Sequence, residues 1–261
     1  MKNTKFNVQK KIMASASMLL VSAVMLSSAT YAWFSMNKEV TVTGMSITAK
    51  SDSTFLLVKA GQQTVADIKA DKLTTDSALT SSAVLYPTAH DAITAASTGY
   101  SAIEAADSTN TTDKDIWYYR YSSDPADYMG TSPSNITYVP TANFANYVLV
   151  NEFSLATADG SNELENLRVK SCTITTTGDQ AVKVLVAGAN GCQEFDASTG
   201  ADISASSTAL QSANVTSSAA STVKVYVYWD GNDTDVYTNG VADLTNTSVD
   251  VVLTGDIVPA S

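Results

Sequence analysis

Hydrophobic residues recur along this chain at every second position more clearly than at helical spacing. In Thr222–Trp229, residues Val223, Val225, Val227 and Trp229 share one face while Lys224, Tyr226 and Tyr228 share the other, which predicts a strand. Asp230-Gly231-Asn232-Asp233 then supplies a turn. Similar runs predict strands over Thr54–Lys59, Ala83–Tyr86, Ile116–Tyr121, Tyr147–Leu155, Asn166–Thr176, Ala181–Ala187 and Ser248–Thr254. Thr177-Gly178-Asp179 predicts a short hairpin leading into the strand on which Val182, Val184 and Val186 alternate. Thr64–Leu73, with Ala66, Ala70 and Leu73 at helical spacing, and the Ala/Ser-rich Ser206–Ala220 read as short helices or loops over a sheet edge. Asp91–Asp115 reads as a polar surface excursion. Together these elements predict an all-β fold, a jelly-roll-like two-sheet sandwich with short helices in its loops.

A different pattern precedes it. Lys2, Lys5, Lys10 and Lys11 stand before Ile12–Asn37, which contains no charged residue, and small side chains at Thr30 and Ala32 lie three and one positions before Trp33. A basic start, an apolar run and small residues at a cut site mark a secretory signal. Residues 1–32 are thus expected to form an N-terminal hydrophobic signal helix, removed by a signal peptidase between Ala32 and Trp33. That would leave 33–261 as an extracellular β-sandwich domain, in contact with a membrane only through residues 12–34 before cleavage. The alternative is a retained anchor, since a helix over Ile12–Phe34 would reach about 34 Å, enough to cross a bilayer core of about 30 Å. Ser15, Ser17, Ser22, Ser27 and Ser28 dilute that run and favour cleavage.

Charge narrows the partners. The whole chain carries 15 Lys and Arg against 26 Asp and Glu, and removing residues 1–32 takes away four Lys and no acid, so the remainder has a formal charge of −15. Phosphate backbones and anionic lipid surfaces would repel it, which argues against nucleic-acid partners. Cys172 and Cys192 are the only cysteines, and in an exported chain such a pair is expected to form a disulfide.

The motifs of enzymes are missing. His90 is the sole histidine, in Pro87-Thr88-Ala89-His90-Asp91, and neither Gly-x-Ser-x-Gly nor His-Glu-x-x-His occurs, so His90 reads as a surface-loop residue and the chain as a non-enzyme without a cofactor. Asp230, Asn232 and Asp235 have the oxygen density that calcium takes, but Val241 stands where an EF-hand places its closing Glu, so a polar turn is the simpler reading. Trp117-Tyr118-Tyr119 and Tyr226-Val227-Tyr228-Trp229 could form a sugar-binding platform, although strand aromatics more often pack in cores.

The segment after the expected cut alternates as well. Phe34, Met36, Val40 and Val42 are evenly spaced, and beyond Gly44 the frame changes to Met45, Ile47 and Ala49, as at a bulge or crossing point. An apolar strand at a new terminus can pair with another chain or fold as the first strand of its own domain. Thr30-Tyr31-Ala32-Trp33-Phe34-Ser35, the alternating Thr/Val after it, and Gly44-Met45-Ser46-Ile47 resemble the export signal and first strand of the TasA/camelysin group, secreted proteins of Gram-positive bacteria. Trp117-Tyr118-Tyr119 with Ser122-Ser123-Asp124-Pro125, and Val225–Asp235, are similar to segments of related clostridial surface proteins. The resemblance implies a cell-surface or biofilm fibre subunit, a homopolymer in which Trp33–Thr43 of one copy completes the next copy's sheet. It also implies a metalloprotease activity described for camelysin, which one histidine without a zinc motif does not support. The rival readings are a membrane-anchored, pilin-like surface protein and a carbohydrate-binding surface module.

Overall fold

The computed structural model describes residues 45–49, 56–70, 84–91, 99–120, 136–176, 181–197, 209–233, 235–236, 242–243 and 247–258. All of them belong to one compact unit, Val40–Ser261. In chain order the described strands are β1 (Met45–Ala49), β2 (Leu56–Ala60), β3 (Val84–Leu85), β4 (Ala89–His90), β5 (Asp113–Arg120), β6 (Ile136–Pro140), β7 (Val148–Thr157), β8 (Glu163–Thr175), β9 (Val182–Ala187), β10 (Cys192–Asp196), β11 (Ser221–Trp229), β12 (Ala242–Asp243) and β13 (Ser248–Val258). Among the described residues, two short helices, α1 (Val65–Ala70) and α2 (Tyr100–Ile103), and a 3-10 turn over Thr141–Asn146 accompany them, so the fold is mostly β as the alternation predicts.

A five-stranded antiparallel sheet in the order β10-β9-β11-β7-β2 forms the middle of the unit. β11 is its central strand, and its alternation explains the layering. Val223, Val225 and Val227 enter a core shared with Val184 and Phe153 of the same sheet and with Leu167, Val169, Val249 and Val251 of a second sheet, ordered β1-β13-β8. The opposite face of β11 is covered too. Tyr226 and Tyr228 are fully buried in a second core with Trp117, Val139, Leu185 and Ile103, contributed in part by a third sheet, β4-β5-β6, and by α2. The middle sheet is therefore covered on both faces, and the strand with the clearest alternation is itself buried on both sides. β3 and β12 pair as a separate two-stranded ribbon.

Two expectations from the sequence are corrected by this architecture. β8 and β9 flank Thr177-Gly178-Asp179 yet pair in different sheets, β8 with β13 and β9 with β10 and β11, so the segment between them crosses from one sheet to the other instead of closing a hairpin. In α1 the buried residue is Ile68, while Ala66 and Ala70 are exposed, because one large side chain gains more from burial than two methyl groups. A reciprocal cap starts this helix: Thr64 Oγ1 accepts from the Asp67 amide, and Asp67 Oδ2 accepts from the Thr64 amide. Ser206–Ala220, where described, contains no helix; it anchors itself through buried Leu210 and Val215, the latter bridged to Leu164. Of the polar Asp91–Asp115 stretch, α2 turns inward and buries Ile103 completely.

Candidate functional site

The expected cleavage residues Ala32 and Trp33 and the expected donor-strand residues Phe34, Met36, Val40 and Val42 lie outside the described residues. The strand nearest to them is β1. It begins at Met45, one residue beyond Gly44 and the end of the Trp33–Thr43 segment, and runs parallel to β13 from Met45↔Val249 to Ala49↔Leu253. It stands at the end of its sheet, paired with β13 alone among the described residues.

Cys172 and Cys192 are both buried and do not form a disulfide, which overturns that expectation. The reason is sheet geometry. Cys172 lies on β8 and enters the core between the five- and three-stranded sheets, whereas Cys192 lies on β10 and enters the core on the other face of the five-stranded sheet. Burial, reinforced by the Asp250 charge, pushes the Cys172 thiol up to about 12, so it stays protonated and unreactive at neutral pH.

At the turn that resembled a calcium loop, Asp230 and Asn232 bond to the protein's own groups. Asp230 Oδ2 lies 2.5 Å from Lys183 Nζ, and its Oδ1 accepts from the Asn232 amide at 2.9 Å. Asn232 Nδ2 donates to the Tyr118 hydroxyl at 3.2 Å, and Asp233 Oδ1 accepts from the Asp235 amide at 2.9 Å. No group of three or more metal-binding side chains comes together among the described residues. The aromatic runs are likewise internal: Trp117, Tyr226 and Tyr228 are fully buried, and Tyr118 and Trp229 nearly so. The half-buried Tyr147 stacks on Tyr119 at 5.2 Å and meets the exposed Tyr86 at 5.6 Å.

His90 is not a surface-loop residue. It is the second residue of β4, paired with Trp117 of β5, and its side chain is 10% exposed. The chain before it is tied to the middle sheet, since the Thr88 amide donates to the Trp229 carbonyl at 3.0 Å and the Gly231 amide to the Thr88 carbonyl at 2.8 Å. This places the imidazole edge-on against both Trp117 and Tyr228. Nδ1 faces the Asp91 carbonyl at 2.9 Å, and Nε2 faces Glu194 Oε1 at 2.7 Å and the Tyr228 hydroxyl at 3.1 Å. The Tyr228 hydroxyl itself donates to Glu194 Oε1. A carbonyl and a carboxylate only accept, so a ring that bonds both must carry a proton on each nitrogen. Burial pushes the His90 pKa down, but the hydrogen bond the ring donates to Glu194, the Glu194 charge, the Asp91 carbonyl and the charge of Asp230 outweigh it and raise the pKa above 6.5. Glu194 moves the opposite way: burial pushes it up, and His90, Tyr228 and Lys183 bring it below its ordinary 4.5.

A second polar group lies farther along β11. Glu104, directly after α2, accepts from Lys224 Nζ at 2.8 Å and from the Tyr226 hydroxyl at 2.8 Å, and its backbone carbonyl accepts from Lys114 Nζ at 2.6 Å. Neither group was evident from sequence, because Glu104 and Glu194 reach the aromatic face of β11 from distant parts of the chain. The available signal was the pair Tyr226 and Tyr228, whose buried hydroxyls need partners. Together the two groups pin the outer layer to the middle sheet.

Compared with protein-family models, with curated proteins and with solved structures, the chain finds no match.

Proposed function

We propose that the chain is a structural subunit of an extracellular surface or biofilm fibre, exported through its N-terminal signal, cut between Ala32 and Trp33, and polymerised by donation of Trp33–Thr43 to a neighbouring copy. The observation that carries this reading is the position of β1. Among the described residues it is an edge strand held by one neighbour, and in sequence only Gly44 separates it from the donor segment, so the margin of a sheet is where that segment joins the described fold. A segment joined to a central strand would be hemmed in on both sides. Strand addition then supplies main-chain hydrogen bonds and side-chain pockets together. Burying Phe34, Met36, Val40 and Val42 contributes roughly 1.5–3 kcal/mol each before the costs of ordering and association. Such a head-to-tail contact need not close into a ring, so it propagates as a filament. The jelly-roll-like arrangement expected of such a subunit belongs to the same proposal.

Electron microscopy of the secreted protein tests it. Filaments from the unaltered protein, and a folded monomer without filaments after deletion of Trp33–Thr43, are the expected results. Normal filaments from the deletion variant, or none from the unaltered protein, would overturn the mechanism.

A further inference from the structure

We propose that His90, Glu194 and Tyr228 form a proton-operated clasp: with the imidazole doubly protonated it ties β4 of the outer layer to β10 at the margin of the middle sheet, and loss of that proton loosens the join.

The geometry gives the neutral ring no good arrangement. If His90 keeps its proton on Nδ1 for the Asp91 carbonyl, the Nε2 lone pair points at Glu194 Oε1, 2.7 Å away, and two acceptors face each other. If the proton sits on Nε2, the Asp91 carbonyl loses its donor. The Tyr228 hydroxyl, 3.1 Å from Nε2, could turn to donate to the ring, but it would then abandon Glu194, whose side chain is 14% exposed. With the proton on Nε2, the bare Nδ1 faces the Asp91 carbonyl at 2.9 Å, so either neutral form sets two acceptors against each other at hydrogen-bond distance.

The negative charges around the ring act in the same direction. Glu194 approaches from β10, Tyr228 from β11, Asp91 through its backbone carbonyl, and Asp230 from the end of β11. Lys183 of β9 is the nearby cation, and Asp230 engages it at 2.5 Å. Asp196 adds its charge to Lys183 and Tyr228. Because the folded-state pKa of His90 is raised, the stabilisation is complete below 6.5 and disappears as pH climbs through the raised value. Because that of Glu194 is lowered, stabilisation from this side is complete above 4.5 and disappears only as pH falls through the lowered value. The clasp therefore holds best between those two reference values and yields first on the alkaline side. It yields locally, since the backbone bonds of Thr88 carry no titratable group. The clasp operates within one subunit and does not depend on polymerisation.

His90 is the only histidine, so in untagged protein the imidazole signals in an NMR titration belong to it alone. The expected midpoint lies above 6.5, and in Glu194→Gln it falls, because burial is then opposed only by the Asp91 carbonyl and the Asp230 charge. Hydrogen exchange of the β4 and β10 amides should accelerate across the wild-type midpoint, beyond the intrinsic effect of hydroxide, by about tenfold for each unit by which that midpoint exceeds 6.5. A wild-type midpoint at or below 6.5, or one that Glu194→Gln leaves in place, would overturn the clasp. Should Glu194→Gln fail to fold, the wild type still decides, because exchange that shows no step at the imidazole midpoint would also overturn it.

Discussion

Lys224 Nζ lies 2.8 Å from Glu104 Oε2, joining the central strand of the middle sheet to the residue that ends α2 in the outer layer. Glu104 also holds the hydroxyl of Tyr226, a fully buried side chain. The carboxylate is itself partly exposed, so its attraction to Lys224 is screened, and its larger contribution is to satisfy that hydroxyl. Glu104→Ala should destabilise the protein by about 1–3 kcal/mol in urea unfolding, and Glu104→Gln by less, because the amide oxygen can still accept from Tyr226. A change below about 0.5 kcal/mol for the alanine variant would show that the hydroxyl needs no protein partner.

Reducing agent should leave the melting temperature unchanged. With Cys172 and Cys192 in cores on opposite faces of the middle sheet, no bridge contributes to stability, and both should react completely with an alkylating reagent in denaturant without prior reduction. In the native state Cys172 should react slowly, since its buried thiol remains protonated. A fall of several degrees on adding reductant would contradict this.

Gly188 follows β9, and a Cβ added there would collide with the backbone carbonyl of Leu210. Gly188→Ala should therefore cost about 1–3 kcal/mol or more, since backbone and not a flexible side chain must move. Gly160 offers the contrast: nothing lies within 4 Å of an added Cβ, but its φ is +74°. Gly160→Ala should cost about 1 kcal/mol from backbone strain alone. Thermal melts of the two variants in the reverse order would refute the packing argument.

For assembly, the alternation of Trp33–Thr43 distinguishes its two faces. Val40→Asp should slow filament growth, followed by light scattering, far more than Thr41→Asp, because only the former places a charge on the apolar face. Equal effects would mean that the segment is not used as a strand.

Alternation in Thr222–Trp229 correctly divides Val223, Val225 and Val227 from Tyr226 and Tyr228, since period two follows from the backbone of a single strand. It does not reveal that both sides are covered. That depends on Trp117 and Ile103, brought in by elements more than 100 residues away along the chain. The same limit hid the carboxylates: Glu104 reaches Lys224 across 120 residues, and Glu194 reaches His90 across 104. His90 sits in a polar stretch beside Pro87 and Asp91, which reads as a loop, yet two residues of strand are enough to seat it against Trp117. The hairpin at Thr177-Gly178-Asp179 misled for a related reason: turn residues show where a chain bends, not which sheet it enters next.

The parallel pairing of β1 with β13 also orders events in time. Met45 meets Val249 about 200 residues later in the chain, and β13 is the strand that separates β1 from β8. A polypeptide emerging N-terminus first, from a ribosome or an export channel, has both flanking strands available long before the strand that joins them. The three-stranded sheet can close only when synthesis or transport has reached residues 248–258. Until then β1 is an edge without a mate, open to pairing with other chains, and contacts this distant make folding slow.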